Sequence, residues 1–270
     1  LPTTNYQLPT TNYQLPILFM NEPIFTAEAA EAALQSEDNQ IRYYAAWWLG
    51  KHQVQESCGA LCEALFDERY RIPSGGYPLR RQAARALGQL KNRSAVEVLI
   101  QACECDDFRL REAAIQALAA IGDKRAIAPL LKMMQSNKQQ PYEALIEALA
   151  TLKVDSCRSL IEPYLNNSSE RIQCAAARYF YLMTQQPQYL ERILKFLNHE
   201  NMYLRWAAVF DLGAVAHHQA VEDILTATVP NSLKLLNLKR ILETLIHSDT
   251  PQKETSQLVF QAIDDLLIQV

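Results

Sequence analysis

Apolar and polar positions along this chain fall into a ten-residue pattern that returns about every 31 residues. The clearest copies are IRYYAAWWLG from Ile41, LRRQAARALG from Leu79, LREAAIQALA from Leu110 and LRWAAVFDLG from Leu204. Weaker copies begin at Pro141 and Ile172, so the starts are 38, 31, 31, 31 and 32 residues apart. At 100° per residue, Ile41, Ala45 and Leu49 share one helix face, as do Leu79, Ala83 and Leu87, then Leu110, Ala114 and Leu118, then Leu204, Ala208 and Leu212. Alanine at the middle position lets neighbouring helices approach closely. A fixed period of this length marks a solenoid, in which each unit buries its apolar face only against its neighbours. The pattern predicts an all-α fold, an α-solenoid of five or six helical pairs.

The second helix of each pair is the apolar stretch after the pattern: Ala60 to Phe66, Ala95 to Cys103, Ala126 to Met134, Cys157 to Leu165, Tyr189 to Leu197 and Val221 to Ala227. Turns such as Gly122-Asp123 separate the two. A first helix is expected from about Thr26, an N-cap residue type, to Leu34. Residues 233–268 read as closing amphipathic helices with a break near Thr250-Pro251. The start, LPTTNYQ-LPTTNYQ-LP, is a tandem heptapeptide with neither helical nor strand period. Residues 1–19 are read as a disordered extension that folding does not need, and 20–270 as one solenoid domain, with Met20 a candidate true start.

An apolar content of 49% is enough for a continuous core, and no apolar run approaches the ~20 residues of a membrane span. The net charge of −4 argues against a general nucleic-acid binder. Six irregularly spaced cysteines, without a secretory signal, suit reduced thiols in the cytoplasm. His52, His199, His217, His218 and His247 form no metal or triad spacing, and Cys103-x-Cys105 lacks a second pair at a usable distance. Charge is uneven: from Asp67 to Arg93 the chain is +5, so the remainder is −9. That segment is either a solvated face or a local attractor for an anionic ligand.

Departures from the pattern carry the functional clues. Tyr44 and Trp48 flank the core face where inner repeats are mostly small, and large rings there fill space at the end of the array. Tyr43 and Trp47 point away from the core, at positions held by Arg81 and Arg85, Glu112 and Gln116, Glu143 and Glu147, and Cys174 and Arg178. Trp206 and Phe210 repeat that anomaly. Outward aromatics need a cover: the chain's own terminal helices, a protein partner or a flat ligand. The arginine after the leading apolar residue recurs as Arg42, Arg80, Arg111 and Arg205, with Asp38, Asp107 and Glu200 ahead of three copies. For Arg111 and Arg205 a ladder bridging adjacent repeats is the favoured role. The long interval adds a loop from Asp67 to Pro78, with Tyr70, Tyr77, Gly75-Gly76 and two arginines, Arg69 and Arg71; Arg80 and Arg81 follow it, and the loop abuts the helix of Tyr43 and Trp47.

RYYAAWWLGK (Arg42–Lys51) followed by GGYPLRRQAARALG (Gly75–Gly88) resembles the E-type subunit of the heterodimeric E/F bilin lyases, HEAT-repeat proteins of cyanobacteria. The resemblance spans roughly residues 24–230, and these two segments are its specific part. It implies an enzyme that, with an F-type partner, attaches phycocyanobilin by a thioether to a cysteine of the phycocyanin α-subunit. Phycocyanobilin is then a substrate, and no cofactor is permanently bound. A related system serves phycoerythrocyanin, with an isomerising Asn-His-Cys motif on its F-type partner; this chain has no such motif. Because the nucleophile belongs to the acceptor, the chain's task is positioning and electrostatics. Arg71, Arg80 and Arg81 are then candidates for the bilin propionates, Tyr43, Trp47, Tyr70 and Tyr77 for its rings, and Asp67 and Glu68 for its pyrrole nitrogens. Trp206 and Phe210 are expected in contact with the partner or with the C-terminal helices. The alternatives are the lyase of the phycoerythrocyanin α-subunit, a non-enzymatic adaptor for phycobilisome proteins and a scaffold without a ligand.

Overall fold

The computed structural model of the protein describes residues 24–217, 220–247 and 253–268. The tandem heptapeptide, Met20 and the Thr250-Pro251 break lie outside the described residues. Fifteen α-helices and no strand occur among the described residues. Thr26 caps α1 (Ala27–Ala33), its hydroxyl accepting from the Ala29 amide. The pattern forms α2 (Asn39–Lys51), α4 (Pro78–Leu90), α6 (Phe108–Ile121), α8 (Tyr142–Thr151), α10 (Glu170–Thr184) and α12 (Met202–Val215). Between them lie α3 (Cys58–Ala64), α5 (Val96–Ala102), α7 (Ile127–Met134), α9 (Arg158–Ile161), α11 (Pro187–Lys195) and α13 (Ala220–Thr226). Helix α9 is only four residues long and runs on as 3₁₀ helix over Glu162–Asn166. Helices α14 (Asn231–Ile246) and α15 (Lys253–Ile268) close the array. The expected all-α solenoid is what the chain adopts.

Each pattern helix stacks on the next from α2 through to α14, and α3, α5, α7, α11 and α13 pack against the pattern helix that follows. Leu79, Ala83, Leu87, Leu110, Ala114 and Leu118 are at most 1% exposed, so the inner repeats seal the seam completely. At the array's ends Ile41 and Leu204 are only half-buried. Small residues set the spacing. A methyl group on Gly88 would lie 2.9 Å from Ala117 Cα, and one on Gly50 would lie 2.7 Å from Ala86 Cα. After each pattern helix the chain turns through a left-handed residue: Gln53, Lys91, Gly122, Lys153, Gln185 and Ala216. Only one of the six is glycine, which is why the sequence displayed a single turn.

The arginine ladder binds backbone rather than carboxylates. Arg111 donates to Cys105 O (2.8 Å) and to Gln139 O (2.9 Å) in the following repeat. Arg205 likewise spans His199 O (2.7 Å) and Thr228 O (3.3 Å). The acids ahead of the pattern serve otherwise: Asp38 caps α2, and Asp107 caps α6 while reaching back to the inserted loop. Its Oδ2 accepts from the Tyr77 amide at 2.9 Å and from Arg81 Nε at 2.7 Å, and its Oδ1 accepts from Arg81 Nη2 at 2.8 Å. Burial opposes ionisation of Asp107, but the Arg81 guanidinium and the amides of Tyr77 and Leu110 prevail and hold its pKa below the usual carboxylate range. Gly76, at φ +111°, permits the latch: a Cβ there would stand 1.9 Å from Arg81 Nη2.

Two outcomes follow from this packing. Mid-helix Gly→Ala ordinarily stabilises by about 0.5–1 kcal/mol; Gly88→Ala is expected to lower the melting temperature instead, because the methyl group meets the α6 backbone. A raised melting temperature would show that the helices have room to separate. Asp107→Asn is expected to cost roughly 1.5–3 kcal/mol at pH 7, the scale of a charged hydrogen bond. The native pKa is depressed, so the stabilisation is full above the unfolded value of ~3.9 and vanishes as pH falls through the native one. Melting curves of the two proteins should converge in that acid window; a gap that ignores pH would contradict the latch.

Candidate functional site

The inserted loop borders a cavity of ≈700 Å³ shared with the α5–α6 connection. Glu68, Arg71, Tyr77, Arg80 and Arg81 of the sequence-derived site line it, facing Glu104, Asp106, Asp107 and Arg109. Tyr43, Trp47, Asp67 and Tyr70 are not among its lining residues. Trp47 is covered within its own helix, stacked on Tyr44 at 5.2 Å and capped by Lys51 Nζ at 4.6 Å. Tyr70 packs against the hydrophobic core. The Asp67 side chain is 6% exposed, bonded to Arg69 and lying 3.7 Å from Arg42 Nε, so it joins the loop to α2 rather than waiting for pyrrole nitrogens. Burial pushes its pKa up, but its bonds to Arg69 and the charge of Arg42 more than reverse that.

Two of the three arginines expected at the propionates are also engaged. Arg80, 7% exposed, donates from Nε to Leu65 O at 2.7 Å and lies 4.5 Å from the Tyr77 ring centroid, so it belongs to the ladder. Arg81 forms the Asp107 latch. Four arginines against four carboxylates line this cavity, so it has no excess positive charge for a dianion. Burial pushes the Cys103 thiol up to about 12, which keeps that sulfur protonated and un-nucleophilic near neutral pH. No group of side chains suited to a metal occurs among the described residues.

A second cavity, ≈530 Å³, runs along the polar faces of successive pattern helices, from Gln116 of α6 to Arg240 of α14. Side chains from five stacked helices reach one cavity only if the stack curves around it, so this is the concave wall. At its centre Arg171 donates to Glu143 (2.9 Å), Glu147 and Asp211 (2.6 Å). Arg178 lies 3.4 Å from Asp211 and 3.9 Å from Glu147. Asp211 is wholly buried; desolvation disfavours its charge, yet Arg171 and Arg178 hold its pKa below the usual range. Glu147 is pushed up to about 7, by burial first and then by Asp211 and Glu143, against the pull of the arginines. Burial and neighbouring Arg178 weaken the protonation of Arg240.

Tyr203, Trp206 and Phe210 complete the wall. Phe210 is 39% exposed and Trp206 half-buried, so the C-terminal helices leave these rings open to the cavity instead of covering them. In the sequence Glu143, Glu147 and Arg178 fall at register positions that point away from the core, and nothing there ties them to Asp211. The signal was present: Asp211 occupies the register position of Trp48, Ala86, Ala117, Ala148 and Tyr179, where no other copy has a charge.

Residues 73–150 match the family model described as HEAT repeats, and residues 41–67 match the PBS lyase HEAT-like repeat. Bilin biosynthesis protein PecE of Mastigocladus laminosus is 70% identical over 262 residues, which cover 92% of this chain and 97% of that one. Phycocyanobilin lyase subunit alpha of Nostoc sp. is 45% identical, covering 90% of this chain and 92% of its own. The solved complex of CpcE and CpcF of phycocyanin lyase from Nostoc sp. contains a chain that matches with a TM-score of 0.80 at 44% identity, covering 92% of this chain and 97% of that chain. Identity of this level along nearly the whole length of both chains goes beyond shared HEAT architecture, and this chain belongs to the alpha, or E-type, subunits of the bilin lyases.

Proposed function

We propose that this chain works with an F-type partner to attach phycocyanobilin to a cysteine of a phycobiliprotein α-subunit, and that the acceptor is phycoerythrocyanin. The observation that carries this is the difference in identity: 70% to PecE against 45% to the phycocyanobilin lyase alpha subunit, each over at least nine-tenths of this chain. That difference moves the acceptor from phycocyanin, expected first, to the alternative named beside it. The partner is supported by the solved CpcE–CpcF complex, whose matching chain has this fold.

The reaction is an addition. The acceptor thiol bonds through sulfur to the ethylidene carbon of the bilin, and a proton is delivered to the neighbouring ring carbon. Nothing leaves and nothing is oxidised. The lyase subunit holds the bilin in one orientation, excludes water and presents the carbon to the thiol. The loop cavity, with its mixed charges from Glu68, Arg71, Glu104, Asp106 and Arg109, has the alternating polarity of a protein-facing rim. We read it as the face turned to the partner or acceptor. Among the described residues no helix is long and apolar enough to cross a membrane.

Coexpression with the F-type partner, phycocyanobilin and either α-subunit tests the reading. The expected result is covalent chromophore on the phycoerythrocyanin α-subunit, surviving denaturing electrophoresis and absent when either lyase subunit is omitted. Replacing the acceptor cysteine with alanine should abolish it. Chromophore attachment confined to the phycocyanin α-subunit, or occurring without this chain, would overturn it.

A further inference from the structure

We propose that Glu147 is the moving part of a proton-operated clasp: with a proton on its carboxyl the polar network holds α8, α10 and α12 together, and without it α8 is pushed away from α12 and the curve of the array opens. The inference concerns the fold and stands whether or not the lyase reading does.

A solenoid unit ordinarily touches only its neighbours. Arg171 departs from that rule. From α10 it bonds Glu143 (2.9 Å) and Glu147 on α8 and Asp211 (2.6 Å) on α12, so one guanidinium gathers side chains of three successive pattern helices. Carboxylates of α8 and α12 reach the same guanidinium only while the array stays tightly curved. Arg178, also on α10, lies 3.4 Å from Asp211 and 3.9 Å from Glu147. Arg240 of α14 lines the same cavity, but its Nη1 donates to Phe210 O and Asn237 Oδ1, and it forms no ion pair among the described residues. The ion pairs therefore join three carboxylates to two guanidiniums, which leaves one negative charge in excess.

The surroundings decide which acid takes the proton. The Glu143 side chain is 42% exposed, so water keeps it ionised. Asp211 is sealed, but Arg171, Arg178 and the Cys174 thiol, which donates to its Oδ2 at 3.1 Å, all stabilise its charge. Cys174 keeps its own proton, because burial and then Asp211 raise its pKa. From α6 the wall receives the uncharged Gln116, while Glu112 of that helix is taken by Arg109. Tyr203 of α12 is the other titratable side chain lining the cavity. Glu147, 21% exposed, shares Arg171 with both other acids and has Arg178 only at a distance. The proton settles there, and burial first, then Asp211 and Glu143, push Glu147 up to about 7. Protonated, it leaves the network neutral. Ionised, it stands against Asp211 across the inside of the curve, and the repulsion acts along the stack.

The test compares the full-length wild-type chain with Glu147→Gln, a permanently neutral isostere, by thermal melting and small-angle X-ray scattering across neutral pH. A carboxyl whose folded pKa is raised from ~4.3 contributes stability that is full below the unfolded value and is lost as pH rises through the folded one. Wild type and Glu147→Gln should therefore melt together in mild acid. Above pH ~7 Glu147→Gln should melt several degrees higher, although it has lost an ion-pair partner. The radius of gyration of the wild type should grow over the same range, and that of Glu147→Gln should stay constant. Glu143→Gln removes one neighbouring charge and should move the wild-type midpoint to lower pH. A wild type more stable than Glu147→Gln above neutrality would make Glu147 an ordinary ion-pair partner and overturn the clasp. A melting difference that ignores pH, or one that changes with pH while the radius of gyration does not, would overturn it as well.

Discussion

Backbone-to-backbone closeness between consecutive pattern helices is the constraint on which the molecule depends. Gly50 against Ala86 and Gly88 against Ala117 leave no room for an added methyl group, and the buried alanines and leucines around them fill the seam. Helices held this tightly present their polar faces side by side. Groups far apart in sequence, such as Glu143, Arg171 and Asp211, are thereby brought into one network. Because each unit rests only on its neighbours, the shape of the wall is set by many small contacts rather than by one core. The arginine ladder supports the same geometry by tying the loops of adjacent repeats together through their carbonyls.

The fold was legible because repetition reports itself. Leu79, Ala83 and Leu87 in one copy and Leu110, Ala114 and Leu118 in the next give the helix face, the spacing and the number of pairs without any knowledge of contacts. Ends of elements were less legible: Gln53, Lys91, Lys153, Gln185 and Ala216 adopt left-handed backbone that their identities do not advertise. The same limit explains α9, which tightens into 3₁₀ after four residues although the apolar pattern continues.

The site was legible as anomaly but not as arrangement. Sequence shows that Arg80, Arg81 and Asp67 are charged and clustered, but not that Leu65 O, Asp107 and Arg42 already bond or neutralise them. Trp206 and Phe210 stood out as outward aromatics, yet their neighbours Arg178 and Arg240 lie 28 and 30 residues from Trp206 and Phe210 respectively, a repeat away on either side. A charge on a solenoid's polar face reads as solvated until stacking turns that face into a cavity. Asp211 was the exception that register comparison alone could have raised.

Concave geometry places Trp206, Phe210, the Arg171 network and the sealed Asp211 on one surface that no single repeat contains. The central claim is that this chain attaches the bilin only together with an F-type partner. Reconstitution from purified subunits, phycocyanobilin and the acceptor α-subunit tests it most directly. The account predicts covalent chromophore on the acceptor when both lyase subunits are present; the same yield from the partner alone would contradict it.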